Sequence, residues 1–139
     1  MIESDTSPQA ARALEGRHVL LVEDSPDQSR LYLRYLQRAG AEVTLECYGQ
    51  SAVETVEGSP HSFDVVVMDL EMPGIDGIEA TRQLRELGFE GAVIAVTAHG
   101  SEEKKQSWFQ AGCSAFLEKP LNEQLLVSTI GQHLTPVKV

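Results

Sequence analysis

Three acidic side chains stand directly after short apolar runs: Glu23 and Asp24 after His18–Val22, and Asp69 after Asp64–Met68. Thr97 follows Ala92–Val96 in the same way, and Lys119 comes just after Ala115–Leu117. Alone, each has an ordinary explanation: a helix cap, a solvated loop acid, a β-branched strand end, a surface lysine. Ser25 already supplies a cap, so the acid pair at 23–24 is surplus to that role. Brought to one place, three carboxylates raise each other's pKa and call for a cation. Mg²⁺ suits such a set, because it takes oxygen ligands and commonly binds one or two carboxylates, waters and a phosphate. A lysine adds a mobile point charge for a phosphoryl group, and a threonine adds a hydroxyl donor.

Such a gathering needs elements to position it. Short apolar runs alternate along the chain with longer amphipathic ones. The runs are His18–Val22, Ala41–Leu45, Asp64–Met68, Ala92–Val96 and Ala115–Leu117. Val65-Val66-Val67 and Val93-Ile94-Ala95-Val96 are continuous rather than alternating, the mark of strands buried on both faces. Between them, Tyr32, Leu36 and Ala39 recur at helical spacing up to Gly40, and Leu126, Ile130 and Leu134 do so near the end. Further helices are expected at Gln50–Val56, Ile78–Leu87 and Glu102–Ala111. Ser25-Pro26-Asp27-Gln28 reads as a capping box with proline at the first helical position. Ser101 caps the fourth helix, and Gly112 suits the position just past its end. On that helix, Phe109 is expected to pack inward, whereas an exposed Trp108 would mark a partner surface. Five βα units in this order imply a doubly wound α/β sandwich. Chemistry in such sheets sits outside the carboxyl ends of the strands, and in the usual five-stranded order strands one and three are neighbours. Glu23, Asp24 and Asp69 then meet at one edge, with Thr97 and Lys119 beside them.

Composition bounds the function. The chain has 139 residues, 42% of them hydrophobic and 23% charged, which suits one globular domain. Its net charge of −10 argues against nucleic-acid binding and against contact with an anionic membrane by this domain. No apolar run approaches the ~20 residues that span a bilayer, and the first residues do not resemble a secretory signal. Cys47 and Cys113 form no metal-binding or redox spacing. These features point to a cytoplasmic protein with two reduced thiols. Residues 1–16 read as a lead-in with a short helical piece near Ala10–Leu14, residues 17–135 as the domain, and 136–139 as a tail.

Several stretches carry a joint pattern: Val19-Leu20-Leu21-Val22-Glu23-Asp24, Val67-Met68-Asp69-Leu70-Glu71-Met72-Pro73-Gly74-Ile75-Asp76-Gly77, Val96-Thr97-Ala98, and Phe116-Leu117-Glu118-Lys119-Pro120. Over roughly residues 17–134 the chain resembles the receiver domain of response regulators in two-component signalling. It is most similar to the C-terminal receiver of hybrid sensor histidine kinases, with a stand-alone single-domain regulator as the alternative. The resemblance implies a flavodoxin-like (βα)5 three-layer sandwich with strand order 2-1-3-4-5. It places the phosphoacceptor on Asp69 and the metal ligands on Glu23, Asp24, Asp69 and the backbone carbonyl of Glu71, for Mg²⁺ or, as an alternative, Mn²⁺. It assigns the switch hydroxyl to Thr97, the aromatic switch position to Phe116, the phosphate-binding lysine to Lys119, and a cis bond to Lys119–Pro120. It further implies a phosphoryl donor, either a histidine kinase or a histidine phosphotransfer protein. A downstream partner would meet the face made by the fourth helix, fifth strand and fifth helix. Such a domain catalyses its own aspartyl phosphorylation and dephosphorylation and is not otherwise an enzyme.

Phe116 stands where tyrosine is common, and Gln28 where many hybrid-kinase receivers carry asparagine. Glu71 and His99 flank the expected phosphorylation site and are candidate modulators of phosphate lifetime. Asp69-x-Glu71 is also similar to the nucleophile motif of haloacid-dehalogenase-like Mg²⁺ phosphatases. There, however, the nucleophile follows the first strand and a cap domain needs more chain. A degenerate receiver that binds partners without phosphorylation is a further alternative, against which the complete acid, threonine and lysine set argues. A flavodoxin would need a phosphate loop rich in Gly, Ser and Thr after strand one, which this sequence lacks.

Overall fold

The computed structural model describes residues 12–134. Five strands alternate with five helices. They are β1 (His18–Val22), α1 (Pro26–Arg38), β2 (Glu42–Glu46), α2 (Gly49–Gly58), β3 (Val65–Asp69), α3 (Gly77–Glu86), β4 (Ala92–Thr97), α4 (Glu102–Ala111), β5 (Ala115–Glu118) and α5 (Glu123–His133). The strands form one parallel sheet in the order β2-β1-β3-β4-β5. This is the flavodoxin-like order that the resemblance implied.

Alternation along the strands builds a core on each face of the sheet. Val19, Leu21, Val65, Val67, Ile94 and Val96 pack with Tyr32 and Leu36 of α1 and Leu126 and Ile130 of α5. Leu20, Val22, Val66, Met68, Val93 and Ala95 pack with residues of α2, α3 and α4, including Val56, Leu84 and Trp108. Continuous valine and isoleucine runs fit this double burial, and every residue of β3 and β4 is buried. The edge strand β2 is only half covered, as its polar Glu42, Thr44 and Glu46 require.

Several boundaries differ from the sequence reading by one or two residues. β3 extends through Asp69, β4 through Thr97 and β5 through Glu118, so Asp69 and Thr97 are the last residues of strands rather than the first of loops. Parallel pairing with neighbours extends each strand one residue past its apolar run. Leu14, placed by sequence in the lead-in, is fully buried and its N–H donates to the Ala39 carbonyl at 2.8 Å. The helical piece expected from Ala10 and the tail 136–139 begin or lie outside the described residues; residues 12–16 form a turn.

The expectation that Phe109 of α4 packs inward is corrected, and the position of Trp108, left open by the sequence, is settled. Trp108 is buried and Phe109 is exposed. Helical rotation decides this. Trp108 shares a face with Ala111 against the sheet, and Phe109 instead sits edge-on to Phe116, with ring centroids 4.5 Å apart. Gly112 ends α4 in the left-handed region, with φ 117°. Gly77 opens α3 where a Cβ would lie 2.7 Å from the Asp69 carbonyl oxygen and 2.8 Å from Leu70 Cα. Only glycine lets α3 begin this close to the end of β3.

Candidate functional site

The sheet register sets the site. Val22 pairs with Met68, which puts Glu23 abreast of Asp69, and Asp69 pairs with Val96, which puts Thr97 one step further on the adjacent strand. Thr97 pairs with Glu118, so Lys119 enters from the far side, its N–H donating to the Thr97 carbonyl at 2.9 Å. All five residues singled out by sequence therefore meet at the carboxyl edge of the sheet.

Glu23, Asp69 and Thr97 are buried, at 2%, 2% and 0% exposure. Carboxylate oxygens of Glu23, Asp24 and Asp69 lie within 4.8 Å of one another, with Asp24 the more exposed member. Lys119 Nζ lies 3.1 Å from Asp69 Oδ2 and 3.4 Å from Glu23 Oε1. Burial of Glu23, reinforced by the charge of Asp69, pushes its carboxyl up to about 7, although the Ser25 N–H and Lys119 pull the other way. Burial disfavours the Lys119 ammonium, yet the hydrogen bond and charge of Asp69, with Glu23, outweigh it and raise its pKa. Two buried acids share one ammonium here. This donor set of hard oxygens, short of positive charge, fits a small divalent cation.

Two expectations about the first helix are corrected. Ser25 Oγ accepts the Gln28 N–H at 3.3 Å, but Gln28 does not complete a capping box: its side-chain oxygen accepts from Lys119 Nζ at 2.8 Å. The Ser25 N–H is instead taken by Glu23 Oε2 at 3.1 Å. Glu23 is therefore not surplus to the helix start: it accepts from the cap residue while standing in the acidic cluster. The competition for Gln28 is decided by a buried ammonium, which offers a stronger charge-assisted bond than a backbone amide.

Glu71 reaches across the site. Its N–H donates to Asp69 Oδ1 at 2.9 Å, and its carboxylate accepts from the Thr97 hydroxyl and from the Ala98 N–H, the latter at 3.0 Å. Burial raises the Glu71 pKa, but these two donors, helped by Lys119 and His99, bring it below the usual carboxylate value. His99 is exposed on the loop after β4, and its N–H donates to Thr97 Oγ1 at 3.0 Å. Phe116 lies on β5 between Trp108 and Phe109, with the Trp108 centroid 5.2 Å away. The Lys119–Pro120 bond is cis. Sequence reasoning missed the Glu71–Thr97 contact. Both residues had been noticed, but only the β3–β4 register shows that one reaches the other.

Comparison with known proteins agrees with this geometry. The model of the response regulator receiver domain matches residues 19–131. The two-component response regulator 24 of Arabidopsis thaliana is 35% identical over 111 residues, covering 80% of this chain and 79% of that protein. The hybrid signal transduction histidine kinase M of Dictyostelium discoideum is 34% identical over 117 residues, covering 81% of this chain but only 5% of that much longer protein. The receiver domain of the histidine kinase CKI1 from Arabidopsis thaliana, complexed with Mg²⁺ and BeF₃⁻, superposes with a TM-score of 0.79 at 30% identity, covering 90% of this chain and 95% of that one. Relatives therefore include both small response regulators and segments of hybrid kinases. No helix among the described residues is long and apolar enough to cross a membrane. Phosphatase and receiver readings both fitted a motif of Asp-x-Glu; the matched family and the sheet order favour one, and the chain belongs to the response regulator receiver domain family of two-component systems.

Proposed function

We propose that Asp69 accepts a phosphoryl group from a phosphohistidine of a histidine kinase or histidine phosphotransfer protein. Mg²⁺, or Mn²⁺ in its place, would be held by Glu23, Asp24, Asp69 and the Glu71 carbonyl. The observation that carries this reading is the buried Asp69 carboxylate with Lys119 at 3.1 Å inside a three-acid cluster. When bound, the cation supplies positive charge for phosphoryl oxygens in a loose, in-line transfer. Lys119 holds a second positive charge beside the nucleophile and orients it. In the transfer, an Asp69 oxygen forms the new O–P bond as the N–P bond breaks, and the imidazole nitrogen keeps the electron pair and picks up a proton. Attack of water on the acyl phosphate releases inorganic phosphate and restores the carboxylate. Thr97 donates its hydroxyl to the phosphorylated form, Phe116 repacks, and the α4-β5-α5 face passes the change to a downstream partner. Glu71 and His99 tune how long the acyl phosphate survives. The domain acts in the cytoplasm, and its only catalysis is of its own aspartyl phosphorylation and dephosphorylation.

Incubation with Mg²⁺ and acetyl phosphate, read by intact-mass spectrometry, tests this. Wild type gains one phosphoryl group and Asp69→Asn gains none. An unmodified wild type would overturn the reading.

A further inference from the structure

Thr97 Oγ1 and the Ala98 N–H form a pair of donors at the end of β4, and in this structure both are taken. One Glu71 oxygen accepts from the hydroxyl and the other from the amide, at 3.0 Å. The His99 N–H donates to the same hydroxyl oxygen at 3.0 Å, which leaves the Thr97 proton directed at Glu71. Each donor has a single proton. A bond to Glu71 therefore excludes an equivalent bond to any other anion.

We infer that the Glu71 carboxylate is an internal stand-in for the phosphoryl group, holding the Thr97 and Ala98 donors in the unphosphorylated protein and yielding them only when a phosphoryl oxygen displaces it. The inference rests on the proposal that Asp69 is the phosphoacceptor and deepens it. The competitor has the right chemistry: an oxyanion with two oxygens, negative, within reach of the same two donors. It also has freedom to leave. Glu71 is exposed, and its backbone stays in place through its own N–H bond to Asp69 Oδ1 at 2.9 Å. Once a phosphoryl group is present, charge repulsion keeps the carboxylate away. Glu71 is thus a positioning residue. It acts through Thr97 and sets the threshold for switching without touching the transferred group.

The test uses the described domain with and without Mg²⁺ and beryllium fluoride as the phosphoryl mimic. In metal-free protein, Glu71→Ala shifts the Ala98 amide resonance and speeds its hydrogen exchange, because that N–H loses its acceptor. With Mg²⁺ present, Glu71→Ala binds beryllofluoride about 10-fold more tightly than wild type, the equivalent of one charge-assisted hydrogen bond no longer broken on binding. Glu71→Gln, which keeps one acceptor oxygen and the side-chain shape, gives a smaller gain. On a Thr97→Ala background most of the gain from Glu71→Ala disappears. Unchanged beryllofluoride affinity in both variants, or a full gain that persists without Thr97, would overturn the inference. Failure of wild type to bind beryllofluoride at all would instead overturn the phosphoacceptor reading.

Discussion

The two cysteines show how burial sets reactivity. Cys47 is exposed and Cys113 is buried against Thr81, where burial pushes its thiol up to about 11. A thiolate reagent near neutral pH should label Cys47 alone, with Cys113 reacting only on unfolding. Mass mapping after brief labelling checks this, and rapid double labelling would contradict it. The same burial ties stability to alkaline pH. The folded pKa lies above the ordinary thiol value, so the contribution is complete below about pH 9 and lost as pH rises through about 11, about 3 kcal/mol in all. Urea unfolding of wild type and Cys113→Ala across that window should show a steeper fall in wild type, since Lys119 and Tyr32, whose pKa values are also raised, leave a shallower slope in both. At this scale, the acids, Thr97 and Lys119 were legible because each stands at, or just past, the end of an apolar strand run. The orientations of Trp108 and Phe109 were not. Two adjacent aromatics on a helix with a weakly apolar face leave the choice to tertiary packing.

Arg85, near the end of α3, donates to the carbonyls of Phe89 at 2.8 Å, Gly91 at 2.7 Å and Gly112 at 2.7 Å, and lies over the Phe89 ring. One guanidinium thus fastens the end of α3 to the loops entering β4 and β5. Arg85→Ala should cost about 3 kcal/mol in urea unfolding, and Arg85→Lys should recover little, since a point charge cannot span three carbonyls. A loss within experimental error for Arg85→Ala would show that water replaces the clamp. Nothing in the sequence distinguished Arg85 from Arg82, its exposed neighbour paired with Glu79. Helix cores and caps at Ser25 and Ser101 were legible from local chemistry. The diversion of Gln28 from its cap to Lys119 was not, because its partner lies 91 residues away.

For the whole molecule, the net charge of −10 conceals a local imbalance, three acids around one lysine. A cation that binds only the folded domain stabilises it by mass action. Mg²⁺ at about 100 times its Kd should add about 3 kcal/mol, seen as a rise in Tm relative to EDTA. Asp24→Asn should blunt that rise without lowering stability in EDTA, as it removes a like charge from the cluster. A rise of equal size in the variant would remove Asp24 from the ligand set. Strand alternation and layer count were legible in the periodicity. Strand order was not, since propensity does not choose neighbours and only the family resemblance supplied it. That topology has a geometric consequence. Every helix runs back from the acidic edge, so α5 ends at the pole opposite Asp69, and the turn at residues 12–16 is pinned there too by Leu14 and Ala39. A tag, surface linkage or fused domain joined next to residue 12 or residue 134 would anchor the far pole, leaving the reactive rim open to an incoming donor.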